Sequence, residues 1–308
     1  MGLAMLMRFF LFCTALLMVS PCFAQEPAQP QPQPLPQEQV QLPVQQLVAP
    51  PQTVAVAPHT ATYKMTLGKA KAGSGVSNVT GTMIFDWQDV CDGWAIQQNM
   101  QLSFLYTEGE ESSVSSPAVT WESKDGKAFN FHVKRLVGEQ EDEAFKGRAK
   151  RDEKGAGLAH YTTPLEKRDI EFTSDVVFPS AHTLMIMQKA AAGEKMFTQR
   201  VFDGADAEGL VDISAFIGPR LDALDDTALA PEVRGNALLT QQAWPIRLAF
   251  YKPQGAGSEP DYEMDFVLQS NGIARSITID YGDFTITGTL VKLESQPALS
   301  CAEGQKIP

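Results

Sequence analysis

Cysteine and histidine are scarce, four of each in 308 residues, and cations are outnumbered, 25 Lys and Arg against 37 Asp and Glu. The formal net charge of −12 leaves no basic footprint for nucleic acid, so no nucleic-acid partner is expected. A Gly-x-Ser-x-Gly elbow, a His-Glu-x-x-His zinc helix, a phosphate-binding glycine loop and a Cys-x-x-Cys pair are all missing. His59, His132, His160 and His182 are too far apart for a local metal-ligand spacing, and nothing calls for a cofactor. The apolar run from Phe9 to Val19 is about 11 residues, well short of the roughly 20 that a membrane-spanning helix needs.

That run has a different use. Arg8 precedes it, and Ser20-Pro21 and the small-residue pattern Cys22-Phe23-Ala24 follow it, in the order of a secretory signal with cleavage between Ala24 and Gln25. A lipid anchor on Cys22 is the rival reading. Pro21 stands where lipoprotein processing wants Gly, Ala or Ser, which favours soluble export to the periplasm, residues 1–24 being the signal peptide.

Cys13 and Cys22 leave with the signal, so the mature chain keeps Cys91 and Cys301. In an oxidising compartment an even pair is most simply one disulfide, with two buried free thiols as the alternative. The bond would close a loop of about 210 residues and stabilise by about 5 kcal/mol in the chain-entropy model. A redox-sensing role for the pair is less favoured, because neither cysteine belongs to a Cys-x-x-Cys motif.

Residues 25–58 are rich in Pro and Gln and bury too little apolar surface to fold, so they read as a disordered, extended linker. From His59 the pattern changes to period two. Ala61, Tyr63, Met65 and Leu67 alternate with polar residues, and Val79, Met83, Phe85 and Trp87 share one parity. Asp125-Gly126, Asn271-Gly272 and Gly282-Asp283 mark hairpin turns, since these residues tolerate positive φ. About 12–15 strands follow, at the spacing of a barrel or curled sheet, and residues 59–308 form one mostly β domain.

One segment has helical character, from Pro179 to Gly193, with Ser180 as candidate cap and Gly193 as stop. Leu184, Met187, Gln188 and Ala191 fall on one helical face, widened by Met185 and Ile186, so the helix should pack into the concave side of the sheet. His182, Leu184, Met187 and Ala191 are the residues expected to line that groove. A weaker helical or loop stretch covers Leu221 to Leu229. The carboxylate runs Glu108, Glu110, Glu111 and Glu139, Glu141, Asp142, Glu143 read as solvated faces rather than cation sites.

Five islands together resemble the EipB family of alphaproteobacterial cell-envelope integrity proteins. They are Cys91-Asp92-Gly93-Trp94, Trp121-Glu122-Ser123-Lys124-Asp125-Gly126, Phe178-Pro179 with His182-Thr183, Val201-Phe202-Asp203-Gly204, and Asp280-Tyr281-Gly282-Asp283-Phe284 ahead of Cys301. The resemblance spans about residues 59–302. It implies a periplasmic, strongly curved antiparallel sheet, a β-spiral or half-barrel, embracing one main α-helix, with a disulfide matching Cys91 and Cys301. It also implies a role in keeping the envelope intact under stress, with a periplasmic repeat protein or another envelope protein as partner. No catalytic residue is carried over, and with the missing motifs this leads to the expectation of a non-enzymatic scaffold or binding protein. The alternatives are a carrier holding lipid or lipoprotein in the half-barrel groove, and an envelope hydrolase using His182 or a pair of acidic residues.

Overall fold

Alternation sets the architecture. In the first strand His59, Ala61, Tyr63 and Met65 are buried, at 2% exposure or less, while the residues between them are not. Such a chain must bury one face and leave the other to solvent, which an antiparallel sheet does. The structure is a computed structural model that describes residues 55–164, 168–221, 228–253 and 259–297. The segment read as a signal and most of that read as a Pro/Gln linker lie outside the described residues. Packing begins inside the segment read as linker: Val56 joins a core cluster, and the Ala57 N–H donates to the Asn271 carbonyl.

The strands are β1 His59–Ala70, β2 Val76–Asp89, β3 Gly93–Tyr106, β4 Glu111–Ser123, β5 Ala128–Val137, β6 Gln140–Arg151, β7 Gly157–Thr163 and β8 Arg168–Phe172. After helix α1, Pro179–Ala191, come β9 Met196–Phe202, β10 Leu210–Ile217, β11 Ala243–Tyr251, β12 Tyr262–Gln269, β13 Ala274–Asp280 and β14 Phe284–Ser295. All 14 belong to one sheet in the order β8-β7-β6-β5-β4-β3-β2-β1-β14-β13-β12-β11-β10-β9, every neighbouring pair antiparallel. It is two meanders joined at β1 and β14, and it does not close into a barrel. The expected hairpins are present, with Gly126 at φ 67° and Gly272 at φ 84° in their turns.

The edge strands β8 and β9 are consecutive in the chain, and α1 connects them. Phe202, at the end of β9, is fully buried against Phe129, Phe131, Phe172 and Phe178. The sheet therefore curls until one edge meets the inner face of the opposite arm. Ile186, Met187 and Ala190 of α1 pack on Val201, Ile213, Ile246 and Leu268 of β9 to β12. Each fully buried large side chain of this kind stabilises by about 1.5–3 kcal/mol.

Two expectations change in detail. The buried stripe of α1 runs through Ser180, His182, Ile186, Met187 and Ala190, with Leu184 partly buried against the same cluster. Gln188 and Ala191 are exposed, so Ala191 does not line the inner side. The apolar face is rotated by about one residue because sheet contacts come from the side of Ile186 and Ala190. Nor is Ser180 the cap: Phe178 holds that position with Pro179 in the first turn, and no side chain of the local sequence caps the helix. Gly193 does stop it, at φ 81°. The stretch from Leu221 to Leu229 lies mostly outside the described residues.

Candidate functional site

Glu122 is on the inward parity of β4, in register with Trp94 of β3 and Phe129 of β5. An inward carboxylate among aromatics must find donors or lose its charge. It finds them on α1, 58 residues away: Glu122 Oε2 accepts the Ser180 N–H at 2.6 Å and Oε1 accepts the Ala181 N–H at 2.9 Å. These are unpaired amides of the first helical turn, where the helix dipole also favours an anion. Glu122 is only 2% exposed. Desolvation pushes its carboxyl up to about 7, opposed by the two N–H groups and the Ser180 hydroxyl.

His182 is two residues farther along the helix and also buried, 4% exposed, its ring 5.8 Å from that of Phe197. Its Nε2 has no hydrogen-bond partner. Burial lowers its pKa to about 4, so the imidazole is neutral. Beyond it, the turn after β9 carries Asp203, whose Oδ1 accepts the Ala205 N–H at 2.9 Å. Removal from water pushes the Asp203 carboxyl up to about 6, and Asp206 adds to the shift. Gly204 adopts φ 64° beside Phe131, whose ring fills the space a Cβ would need.

Four of the five islands therefore converge. Gly93 of the first pairs with Ser123 of the second, and a Cβ on Gly93 would overlap the Trp121 indole. Glu122 of the second holds the helix start of the third. Val201 of the fourth forms a parallel bridge with Val177, just ahead of that helix, and Phe202 packs on Phe178. The fifth is at the β13–β14 turn, where the Tyr281 and Phe284 rings are tilted 30° at 5.3 Å, and it nears the fourth through Tyr262, which neighbours both Tyr281 and Asp203.

Among the other expected residues, Met187 is fully buried and Leu184 half-buried. Cys91 is at the tip of the β2–β3 hairpin with φ 71°, its N–H donating to Asp89 Oδ1 at 3.0 Å. Cys301 lies outside the described residues. The acidic runs are exposed, and Glu141 and Asp142 pair with Lys134 and Arg135 across the β5–β6 hairpin. Among the described residues no cluster of three or more His, Cys, Asp or Glu could hold a metal ion. Glu122 was not among the expected site residues; the alternation of Val119 and Trp121 points it outward, and the available signal was its register opposite Phe129 across the Asp125-Gly126 turn.

The EipB-like family model matches residues 50–297. The chain is 32% identical over 246 residues to the cell envelope integrity protein EipB of Brucella abortus (strain 2308), covering 78% of this chain and 85% of that protein. It is also similar to a crystal structure from Brucella abortus described as a beta-barrel-like protein of a domain of unknown function, DUF1849. That match has TM-score 0.71 and 27% identity, and covers 80% of this chain and all of the other. With the family's pattern running through both arms of the sheet and the helix between them, the chain belongs to the EipB-like family.

Proposed function

We propose that this protein is a non-enzymatic periplasmic scaffold that helps keep the cell envelope intact, engaging envelope proteins such as a periplasmic repeat protein. The observation that carries the reading is the occupied inner side of the sheet. There α1 is seated with Ile186 and Met187 at 1% and 0% exposure, and Phe202 closes on the far arm, leaving the outer face for partners. The name of the Brucella relative supports the envelope role. His182, neutral and buried, is a packing residue here rather than a general base.

A Cys91–Cys301 disulfide belongs to the same proposal, and the strand directions favour it. β2 and β14 run the same way on either side of β1, and His59 of β1 pairs with both Trp87 and Ser295. Cys91 and Cys301 thus follow the same end of two strands about 10 Å apart. Six residues beyond Ser295 reach up to about 20 Å, enough to meet the hairpin tip.

The test is deletion of the gene, with complementation by the wild-type chain. Hypersensitivity to detergent, bile salts and cell-wall antibiotics, reversed by complementation, is expected, and unchanged sensitivity overturns the reading. Native mass spectrometry of protein drawn from the periplasm separates scaffold from carrier. A chain beginning at Gln25 with no adduct is expected, whereas a bound acyl lipid would replace the scaffold with a carrier.

A further inference from the structure

Lys146, Arg148 and Lys150 occupy alternate positions of β6, opposite in parity to the buried Phe145 and Ala149. All three project from the outer face, and all three are exposed. Alternate strand residues are about 7 Å apart, so the cations form a row about 13 Å long. Several cations elsewhere on this acidic chain are paired with carboxylates: Lys124 with Asp89, Arg200 with Asp212, Arg247 with Asp265 and Lys292 with Glu294. None of the three β6 cations has a carboxylate partner among the described residues.

The register supplies their neighbours on the same face. Lys146 is opposite His132 of β5, which is opposite the 50% exposed Val119 of β4. Lys150 is opposite the 45% exposed Leu158 of β7. Carboxylates stand at the two ends of the row, where Glu141 and Asp142 are held by Lys134 and Arg135 and Glu153 by Lys127, with Asp152 exposed just past Lys150, and at the far edge. Asp169 of β8 is bound to His160, and Glu171 is opposite Leu158, both about 10 Å from β6.

We propose that this outer face of β4 to β7 docks on an anionic phospholipid surface. Headgroup phosphates would meet the cation row, and Val119 and Leu158 would enter the headgroup boundary. A row of cations with exposed branched side chains at its margins fits a bilayer better than a soluble polyanion, which offers nothing to the apolar groups. The remaining negative charge of the chain is repelled by the same surface, so contact fixes one orientation. This inference is independent of the scaffold reading and of the α1 junction.

The test is sedimentation of the mature chain with vesicles of phosphatidylethanolamine and phosphatidylglycerol, against vesicles of phosphatidylcholine alone. Salt-sensitive binding to the anionic vesicles only is expected. The variant K146Q/R148Q/K150Q should lose on the order of a hundredfold in partitioning, at about fivefold per cation. A control of equal charge change, K64Q/K69Q/K71Q, should lose less than a few-fold, and circular dichroism should show both variants folded. No binding by the wild type, or equal losses in both variants, overturns the proposal. So does stripe-dependent binding of soluble poly-glutamate without vesicle binding, which would reassign the row to an acidic protein.

Discussion

Glu122 accepts the Ser180 N–H at 2.6 Å, fastening the end of β4 to the first turn of the helix that joins the two sheet edges. Replacing Glu122 by Ala leaves the Ser180 and Ala181 amides without their acceptor in a buried site. A loss of about 1–3 kcal/mol is expected, measured by urea unfolding. A loss below about 0.5 kcal/mol would show that the bond contributes nothing.

The pH profile carries two opposed slopes. Over the window from 4.5 to about 7 the native Glu122 holds a proton that the unfolded chain releases, so stability falls as pH rises through it. His182 does the reverse. The unfolded imidazole takes up a proton below 6.5 while the native one resists to about 4, so stability is lost as pH falls through that interval. E122Q removes the first slope. Its Tm relative to wild type should rise between pH 5 and pH 8, by the equivalent of about 3 kcal/mol. A Tm difference independent of pH would mean that Glu122 does not titrate in this window.

Phe202 touches Phe129, Phe131, Phe172 and Phe178, and its loss opens a cavity where edge and arm meet. Phe202→Ala should cost about 3–5 kcal/mol in denaturant unfolding. Phe216→Ala removes a ring that is 41% exposed on the outer face and should change stability by about 0.5 kcal/mol or less. Similar costs for the two would refute the curled packing.

Gly93 has no room for a side chain. A Cβ would be 2.7 Å from the Glu122 carbonyl oxygen and would overlap the Trp121 indole. Gly93→Val should destabilise by about 1–3 kcal/mol and alter tryptophan emission. Unchanged emission together with unchanged stability would contradict the register of β3 on β4.

Cys91→Ser tests the proposed bond. The oxidised wild-type chain should have a mass two hydrogens below its reduced form, and the variant should show no such difference. The variant should also lose up to about 5 kcal/mol of stability. Equal masses for wild type with and without reductant would leave the two thiols separate.

Much of this fold is legible because period-two burial is a local property. Ala61, Tyr63 and Met65 declare a strand on their own, and Asp-Gly and Asn-Gly declare its turns. The helix was equally visible, but its buried face was not, since that depends on which side of α1 the sheet approaches. Glu122 faces inward only by its register opposite Phe129, and its donors are 58 residues away, with no spacing rule to connect them. The alternation of Lys146, Arg148 and Lys150 is plain in the chain. That they have no carboxylate partners emerges only from the register of β5, β7 and β8.

The seam between β1 and β14 sets the order in which this chain can become native. The first and last strands of the described residues are hydrogen-bonded at the middle of the sheet, with His59 opposite Ser295. Neither meander can be placed against the other until the final strand has arrived. Contacts of such long sequence separation make for slow folding, measured in milliseconds to seconds or longer. Through that interval both flanks of the seam expose strand edges to other chains. A break near either end of the domain would therefore act at its centre, where truncation of an ordinary sheet would only trim a margin.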